Sequence, residues 1–163
     1  VATSYLARLA GRRQDVDTAR SLFAEAVAMF EDMGATHFVL ETKVFQLEAE
    51  VLAGNGIRAV EGADDVFALA EEIGDDLLST ILRRIRAWAA FETGDLDTAR
   101  TLADEAIVAA VEVSSPVEEA LALILRGNIR RSAGGDRSDD HHRARGLLED
   151  LGVVMLPAIS RAG

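Results

Sequence analysis

The sequence predicts an all-α fold in which about four antiparallel helical hairpins stack into an open, curved array, an α-solenoid. Three observations predict it: an internal repeat of about 40 residues, apolar residues at helical spacing within each repeat, and turn residues at fixed places between helices. In such an array each hairpin buries its apolar face against its neighbours, so the order along the chain becomes the order in space.

The repeat is clearest between two segments that lie 80 positions apart. Residues 15–22 read DVDTARSL and residues 95–102 read DLDTARTL. Half that shift finds dipeptides at 40-residue intervals: Gln14-Asp15, Gly54-Asn55, Gly94-Asp95 and Gly134-Gly135. Helix ends at Gly34, Gly74 and Ser114 follow the same period, whereas the end at Gly152 comes two residues early.

Each repeat contains two amphipathic helix patterns. In the first helix, two apolar columns lie four residues apart on one face. They are Tyr5, Phe45, Ile85 and Leu125, and then Leu9, Ala49, Ala89 and Ile129. In the second helix, apolar residues recur at spacings of three and four. They are Ala19, Leu22, Phe23, Ala26, Val27 and Phe30, matched in the third copy by Ala99, Leu102, Ala103, Ala106, Ile107 and Ala110.

Turn and capping residues define the boundaries. A glycine in a left-handed conformation typically ends a helix, as expected at Gly34, Gly74 and Gly152. Residues 115–118, Ser-Pro-Val-Glu, read as a capping box with proline at the first helical position. The resulting map places helices at about 2–11, 16–33, 36–53, 57–73, 76–93, 96–113, 116–133 and 139–151.

These boundaries predict one repeat domain at 1–152 and a C-terminal tail at 153–163. The units of the domain are about 1–34, 35–74, 75–114 and 115–152, and the only strand signal is a short one at 153–156. Two other interpretations stay open, namely a closed helical bundle and a coincidental repeat. The second is disfavoured because the caps and the core columns share one period.

Charge and composition exclude several classes of function. The net charge is −11 over 163 residues, and a phosphate backbone repels such a surface, so direct nucleic-acid binding is not expected. The apolar runs are far shorter than the about 20 residues that a spanning helix needs, so no membrane association is expected. The absence of cysteine excludes disulfides and thiolate metal sites, which favours a cytoplasmic location.

Residues 94–102, Gly-Asp-Leu-Asp-Thr-Ala-Arg-Thr-Leu, carry a resemblance to a known family. With its small residues at helix contacts, the chain resembles the tetratricopeptide (TPR) family, although its unit has 40 residues where that family has 34. The longer, alanine-rich unit is similar to the C-terminal repeats of bacterial AAA/STAND-type signalling ATPases, transcriptional activators and class III adenylate cyclases. Residues 144–153 resemble the last hairpin of such chains.

The resemblance implies a right-handed superhelix that binds a protein or peptide within a larger bacterial signalling or transcription-regulatory protein. No G-x-x-x-x-G-K-[ST] motif occurs, so any ATPase or cyclase module is expected outside this chain. In TPR-like arrays the first helices line the concave face. By that analogy a basic ridge is expected there, made of Lys43, Gln46, Arg83, Arg86, Arg126 and Arg130.

Guanidinium groups on such a ridge could bind a carboxylate or an acidic peptide. The alternative is that these are surface side chains paired with nearby Glu and Asp. Trp88 lies off the main core column, and it either packs against the neighbouring hairpin or serves as an exposed anchor for a partner.

No catalytic, cofactor or metal site is predicted. Asp139-Asp140-His141-His142 is the most metal-like run, but adjacent residues on a helix point about 100° apart and cannot share one ion. Acidic residues there instead suit a helix N-terminus. His37 and Glu41 have a metal-compatible spacing without a third ligand nearby.

The first hypothesis is therefore a non-catalytic protein- or peptide-binding scaffold. The alternatives are a small-molecule sensor and a homodimer formed through an exposed terminal hairpin. A metal-dependent enzyme is the weakest alternative.

Overall fold

The computed structural model describes residues 1–61 and 63–152, apart from the side chain of Arg58. This part of the chain forms nine α-helices and no strand. The helices are α1 (Ala2–Arg12), α2 (Val16–Asp32), α3 (Thr36–Leu52), α4 (Gly56–Glu61), α5 (Asp64–Ile73), α6 (Asp76–Glu92), α7 (Leu96–Glu112), α8 (Pro116–Ser132) and α9 (Ser138–Asp150). The predicted tail at 153–163, with its strand signal, lies outside the described residues.

A backbone residue in the left-handed region recurs every 20 positions. These residues are Gln14, Gly34, Gly54, Gly74, Gly94, Ser114 and Gly134, followed by Gly152 two positions early. After most of them, the next amide donates to a carbonyl five residues back, which is the Schellman way of ending a helix. The 40-residue unit is thus two helices with one left-handed stop each, as the sequence predicts.

The helix lengths obey the same period. The first helices α3, α6 and α8 each have 17 residues and begin 40 positions apart, and the second helices α2 and α7 also have 17 residues. Asp15, Asp75 and Asp95 cap the helices that follow them by accepting a hydrogen bond from a first-turn amide.

The structure departs from the predicted map in the second unit. In place of one helix at 57–73 it has α4 and α5. The Ala63 amide donates to the Val60 carbonyl, and Asp64 and Asp65 occupy the first turn of a new helix, where acidic side chains are favoured by the helix dipole.

The predicted capping box at residues 115–118 does not form. Ser115 precedes α8 without a side-chain cap bond, although Pro116 occupies the first turn as expected. Glu118 is buried and bonds to Arg84 on α6, so its carboxylate cannot reach back to the start of its own helix.

The predicted core columns are buried in all units but the first. Phe45, Ile85, Leu125 and Ile129 are at most 3% exposed, whereas Tyr5 is 50% and Leu9 45% exposed. In the second helices, Ala19, Phe23, Ala26 and Phe30 are buried, as are Ala99, Ala103, Ala106, Ile107 and Ala110. Each helix packs on its sequence neighbours, and each first helix also contacts the next first helix (α1 with α3, α3 with α6, α6 with α8).

The all-α, helical-repeat character of the fold is therefore confirmed. No helix in the ranges described is both long enough and apolar enough to cross a membrane.

Candidate binding surface

The first helices meet at a buried set of charges, here called the first-helix ion cluster. It consists of Arg8 and Arg12 from α1, Glu48 from α3, Arg84 from α6 and Glu118 from α8. Glu48 accepts from Arg8 Nε at 2.8 Å, from Arg12 Nη2 at 3.1 Å and from Arg84 Nη2 at 2.8 Å. Arg84 Nε also donates to Glu118 at 2.7 Å, and Arg8 Nη2 lies 3.9 Å from the same carboxylate.

The central members of the cluster are removed from water. The side chains of Glu48 and Arg84 are 2% and 7% exposed, while those of Arg8 and Arg12 are 18% and 28% exposed. Burial alone would raise the pKa of Glu48, but Arg84, Arg8 and Arg12 together hold that pKa below its ordinary value. Burial likewise disfavours the charge on Arg84, and Glu118 and Glu48 more than offset this, so the pKa of Arg84 is raised.

Sequence reasoning missed this cluster. A usable signal exists, because Glu48 stands beside the core residues Phe45 and Ala49, and Arg84 stands between Ile81 and Ile85. A charged residue on an apolar helix face requires a partner of opposite sign, and the charges on successive first helices alternate in sign. What the sequence does not supply is the crossing geometry that brings four helices to one point.

Several members of the basic ridge are already engaged within the protein. Lys43 Nζ lies 3.3 Å from Asp65 on α5, and Gln46 is half-buried on α3. The Arg86 guanidinium lies 3.7 Å from the centroid of the Phe67 ring, which is cation–π geometry.

At the C-terminal end of the ridge, two arginines share one buried carboxylate. Arg126 donates to Asp140 at 2.5 Å and to Asp104 at 2.6 Å, and Arg130 Nη1 lies 2.9 Å from Asp140. Hydrogen bonds from Asp140 and then Asp104 raise the pKa of Arg126 against the opposing effect of burial. Asp140 is 3% exposed and therefore ties α9 to α8.

Arg83 differs from the other ridge residues because it is exposed and forms no ion pair with any residue in the described ranges. It lines a groove of about 420 Å³ between α6 and α7, here called the α6–α7 groove. The remaining lining residues all come from α7: Asp104, Glu105, Val108, Ala109 and Glu112.

The α6–α7 groove has an apolar floor and charged edges. Val108 is 58% exposed, and it lies beside the buried Ala109. Asp104 is paired with Arg126, whereas Glu105 and Glu112 have no ion-pair partner in the part of the chain that the structure describes. The groove therefore offers an apolar contact with two carboxylates and one guanidinium around it.

The same positions in the first unit carry different residues. A shift of 80 residues places Thr3 where Arg83 stands, Ala24 where Asp104 stands and Ala28 where Val108 stands. Only the two outer carboxylates are retained, as Glu25 and Asp32. The combination of arginine, exposed valine and carboxylates thus belongs to the third unit, although the backbone of the first unit would allow it.

The metal-like residues are used for packing and pairing. His141 packs on Gly127, because a Cβ at that glycine would lie 2.6 Å from the imidazole Cδ2. Burial lowers the pKa of His141, Arg137 lowers it further, and a backbone hydrogen bond with Ile124 opposes this. Among the described residues, no group of three His, Asp or Glu side chains could hold a metal ion.

The other candidate residues are engaged separately. His37 Nε2 lies 2.8 Å from Asp75, and Glu41 accepts a hydrogen bond from the Tyr5 hydroxyl. Trp88 is 4% exposed and donates from Nε1 to Glu92, so it packs within the protein and is not an exposed anchor.

Comparison of the chain with protein-family models finds no match, and comparison with curated proteins finds none either.

Proposed function

We propose that this chain is a non-catalytic scaffold, a tightly wound right-handed array of TPR-like hairpins that binds a segment of another protein. The architecture is supported by the left-handed residue that recurs every 20 positions and by the equal lengths of the corresponding helices. By its resemblance to bacterial signalling repeats, the array is the binding arm of a larger cytoplasmic regulatory protein.

The α6–α7 groove is the binding site in this proposal, and its exposed apolar floor is the observation that carries it. The surface between the first helices is less suitable, because the first-helix ion cluster links α1 to α8 there. Most of the basic ridge is also neutralised by Asp65, Asp104 and Asp140. A ligand carboxylate would have to displace these partners.

The chemistry of the groove indicates the type of segment. Val108 and Ala109 fit one apolar side chain, and Glu105 and Glu112 attract basic residues on either side of it. Arg83 at the α6 side can accept one carboxylate from the ligand. The groove therefore suits an apolar residue flanked by Lys or Arg, with an acidic residue on the Arg83 side.

The test begins with selection of binding peptides from a random display library on the immobilised chain. The best peptide is then titrated against the Glu105→Lys/Glu112→Lys variant, in which the groove edges are reversed. We expect at least about a tenfold loss of affinity, equivalent to about 1.4 kcal/mol. Val108→Arg should cause a similar loss because it places a charge on the apolar floor.

A matched control is available in the first unit. Glu25→Lys/Asp32→Lys makes the same charge change at the corresponding positions of α2, and it should leave the affinity nearly unchanged. Equal affinity for the two double variants would contradict the proposal. A peptide that loses affinity with Arg86→Glu alone would instead place binding on the basic ridge. Arg126 is unsuitable for this comparison because its loss would leave Asp140 with a single partner.

A further inference from the structure

The outer face of α1 is apolar and exposed. Tyr5, Leu6 and Leu9 are 50%, 56% and 45% exposed, and Val1 adds a further 56% exposed side chain at the start of the helix. These positions follow one another at helical spacing, so they form a continuous stripe on one side of α1. Contiguous exposed apolar surface of this kind marks an interaction site more often than scattered single residues do.

The corresponding positions in every later first helix are covered. Phe45 and Ala49 on α3 are 3% and 8% exposed, and Ile85 and Ala89 on α6 are 0% and 7% exposed. On α8, Leu125 and Ile129 are 0% and 1% exposed. The same two columns are thus core in three units and surface in one.

The structure also shows what covers these columns. The Phe45 ring packs against the Tyr5 ring at a centroid distance of 5.8 Å. Ala49 packs so closely on α1 that a Cβ at Gly11 would lie 2.5 Å from its own Cβ, and Ala19 of α2 lies beside the same point. The cover is therefore the preceding hairpin, which presents small residues from both of its helices.

The charges on the two sides are complementary in such a contact. Residues 1–14 contain Arg8, Arg12 and Arg13 and no acidic residue. A second helix of this array is acidic: α2 and α7 each carry four Asp or Glu residues and one Arg. Two copies of α1 facing each other would bring like charges together, which disfavours a symmetric dimer through this face.

The opposite end of the array has a different surface. The outward residues of α9 include His142, Arg145 and Glu149, all exposed, which is the polar surface expected of a terminal unit. The apolar stripe of α1 has no such character.

We infer that the face of α1 formed by Tyr5, Leu6 and Leu9 docks one further helical hairpin of the same kind, carried by the same polypeptide on the N-terminal side of α1. The occupant presents small residues to Tyr5 and Leu9 and an acidic second helix to the arginines. This inference rests on the repeat equivalence and does not depend on the α6–α7 groove.

The test adds such a hairpin from this chain. Residues 75–120 are placed directly before Val1, so that Val1 takes the position of Leu121 and the 40-residue period continues. We expect one cooperative urea transition with its midpoint shifted upward from that of the parent chain. Amide hydrogen exchange at α1 should also be slower than in the parent chain.

Leu6→Glu/Leu9→Glu provides the matched control. In the extended chain this pair should abolish the upward shift, whereas in the parent chain it should leave the midpoint nearly unchanged because both side chains already face solvent. A separate transition for the added hairpin, or a shift that survives the double substitution, would overturn the inference. So would a dimer of the parent chain, seen by light scattering, that the double substitution breaks, since a second copy would then own this face.

Discussion

Replacement of Glu48 by Gln is the sharpest test of the first-helix ion cluster. The substitution keeps the shape of the side chain but removes the charge that three guanidinium groups share. Breaking a buried ion pair from one side costs about 3–5 kcal/mol. The lower end applies here, because Arg84 retains Glu118, and Arg8 and Arg12 are partly open to water. We therefore expect the free energy of unfolding to fall by about 3 kcal/mol.

Urea unfolding followed by circular dichroism measures this change directly. For a chain of this size, 1 kcal/mol shifts the melting temperature by about 2–4 °C, so the variant should melt about 6–12 °C lower. Asp97→Asn is the control, since it breaks the exposed pair between Asp97 and Arg100 and should leave stability nearly unchanged. A loss below about 1 kcal/mol for Glu48→Gln would refute the claim that its charge is buried and shared.

The pH dependence gives an independent check on Glu48. Its pKa is lower in the folded than in the unfolded protein, so the unfolded state binds the proton more readily. The stabilisation by the charged form is therefore fully present above the ordinary pKa of 4.5 and is lost as the pH falls through the lowered folded-state value. The stability difference between the parent and Glu48→Gln should be constant from pH 7 to about 5.5 and then shrink with acid. A difference that grows with acid would contradict the sign.

Three further predictions concern backbone contacts and one histidine. Gly11→Ala should destabilise the protein by about 1–3 kcal/mol in urea unfolding, because its Cβ would lie 2.5 Å from that of Ala49, whereas Gly146→Ala, in open space on α9, should stabilise by about 0.5–1 kcal/mol; equal effects would contradict the close approach. Ser114→Gly should raise stability by about 1 kcal/mol because Ser114 has a φ of 53°, and a loss of stability would show that its side chain matters more than its backbone. An NMR titration should place the midpoint of His141 below the ordinary 6.5, and a midpoint above it would contradict the burial of the ring on Gly127.

Much of the fold follows from local rules that the sequence displays. Helix ends can be predicted because glycine at Gly34 or Gly74 and aspartate at Asp95 determine where a helix stops and starts. The repeat then transfers each boundary to the other units, including Gln14 and Ser114, where no glycine marks the stop. The break between α4 and α5 was not predicted, because the apolar spacing continues across it.

The candidate site was less predictable, since it depends on which side chains meet across helices. The 40-residue column of Gln46, Arg86 and Arg126 is real in the sequence, yet the three side chains have different environments. Arg126 bonds to Asp140 through α9, whose helix starts out of register with the other second helices. The partner of a charged side chain is a tertiary property, and periodicity cannot supply it.

The most direct test of the proposed function is amide hydrogen exchange with and without the peptide selected on the chain. Binding in the α6–α7 groove predicts added protection in α7 from Asp104 to Glu112 and in α6 around Arg83, with α2 unchanged. Protection centred on Lys43 and Gln46 of α3 and Arg126 of α8, with α7 unchanged, would contradict the groove as the binding site.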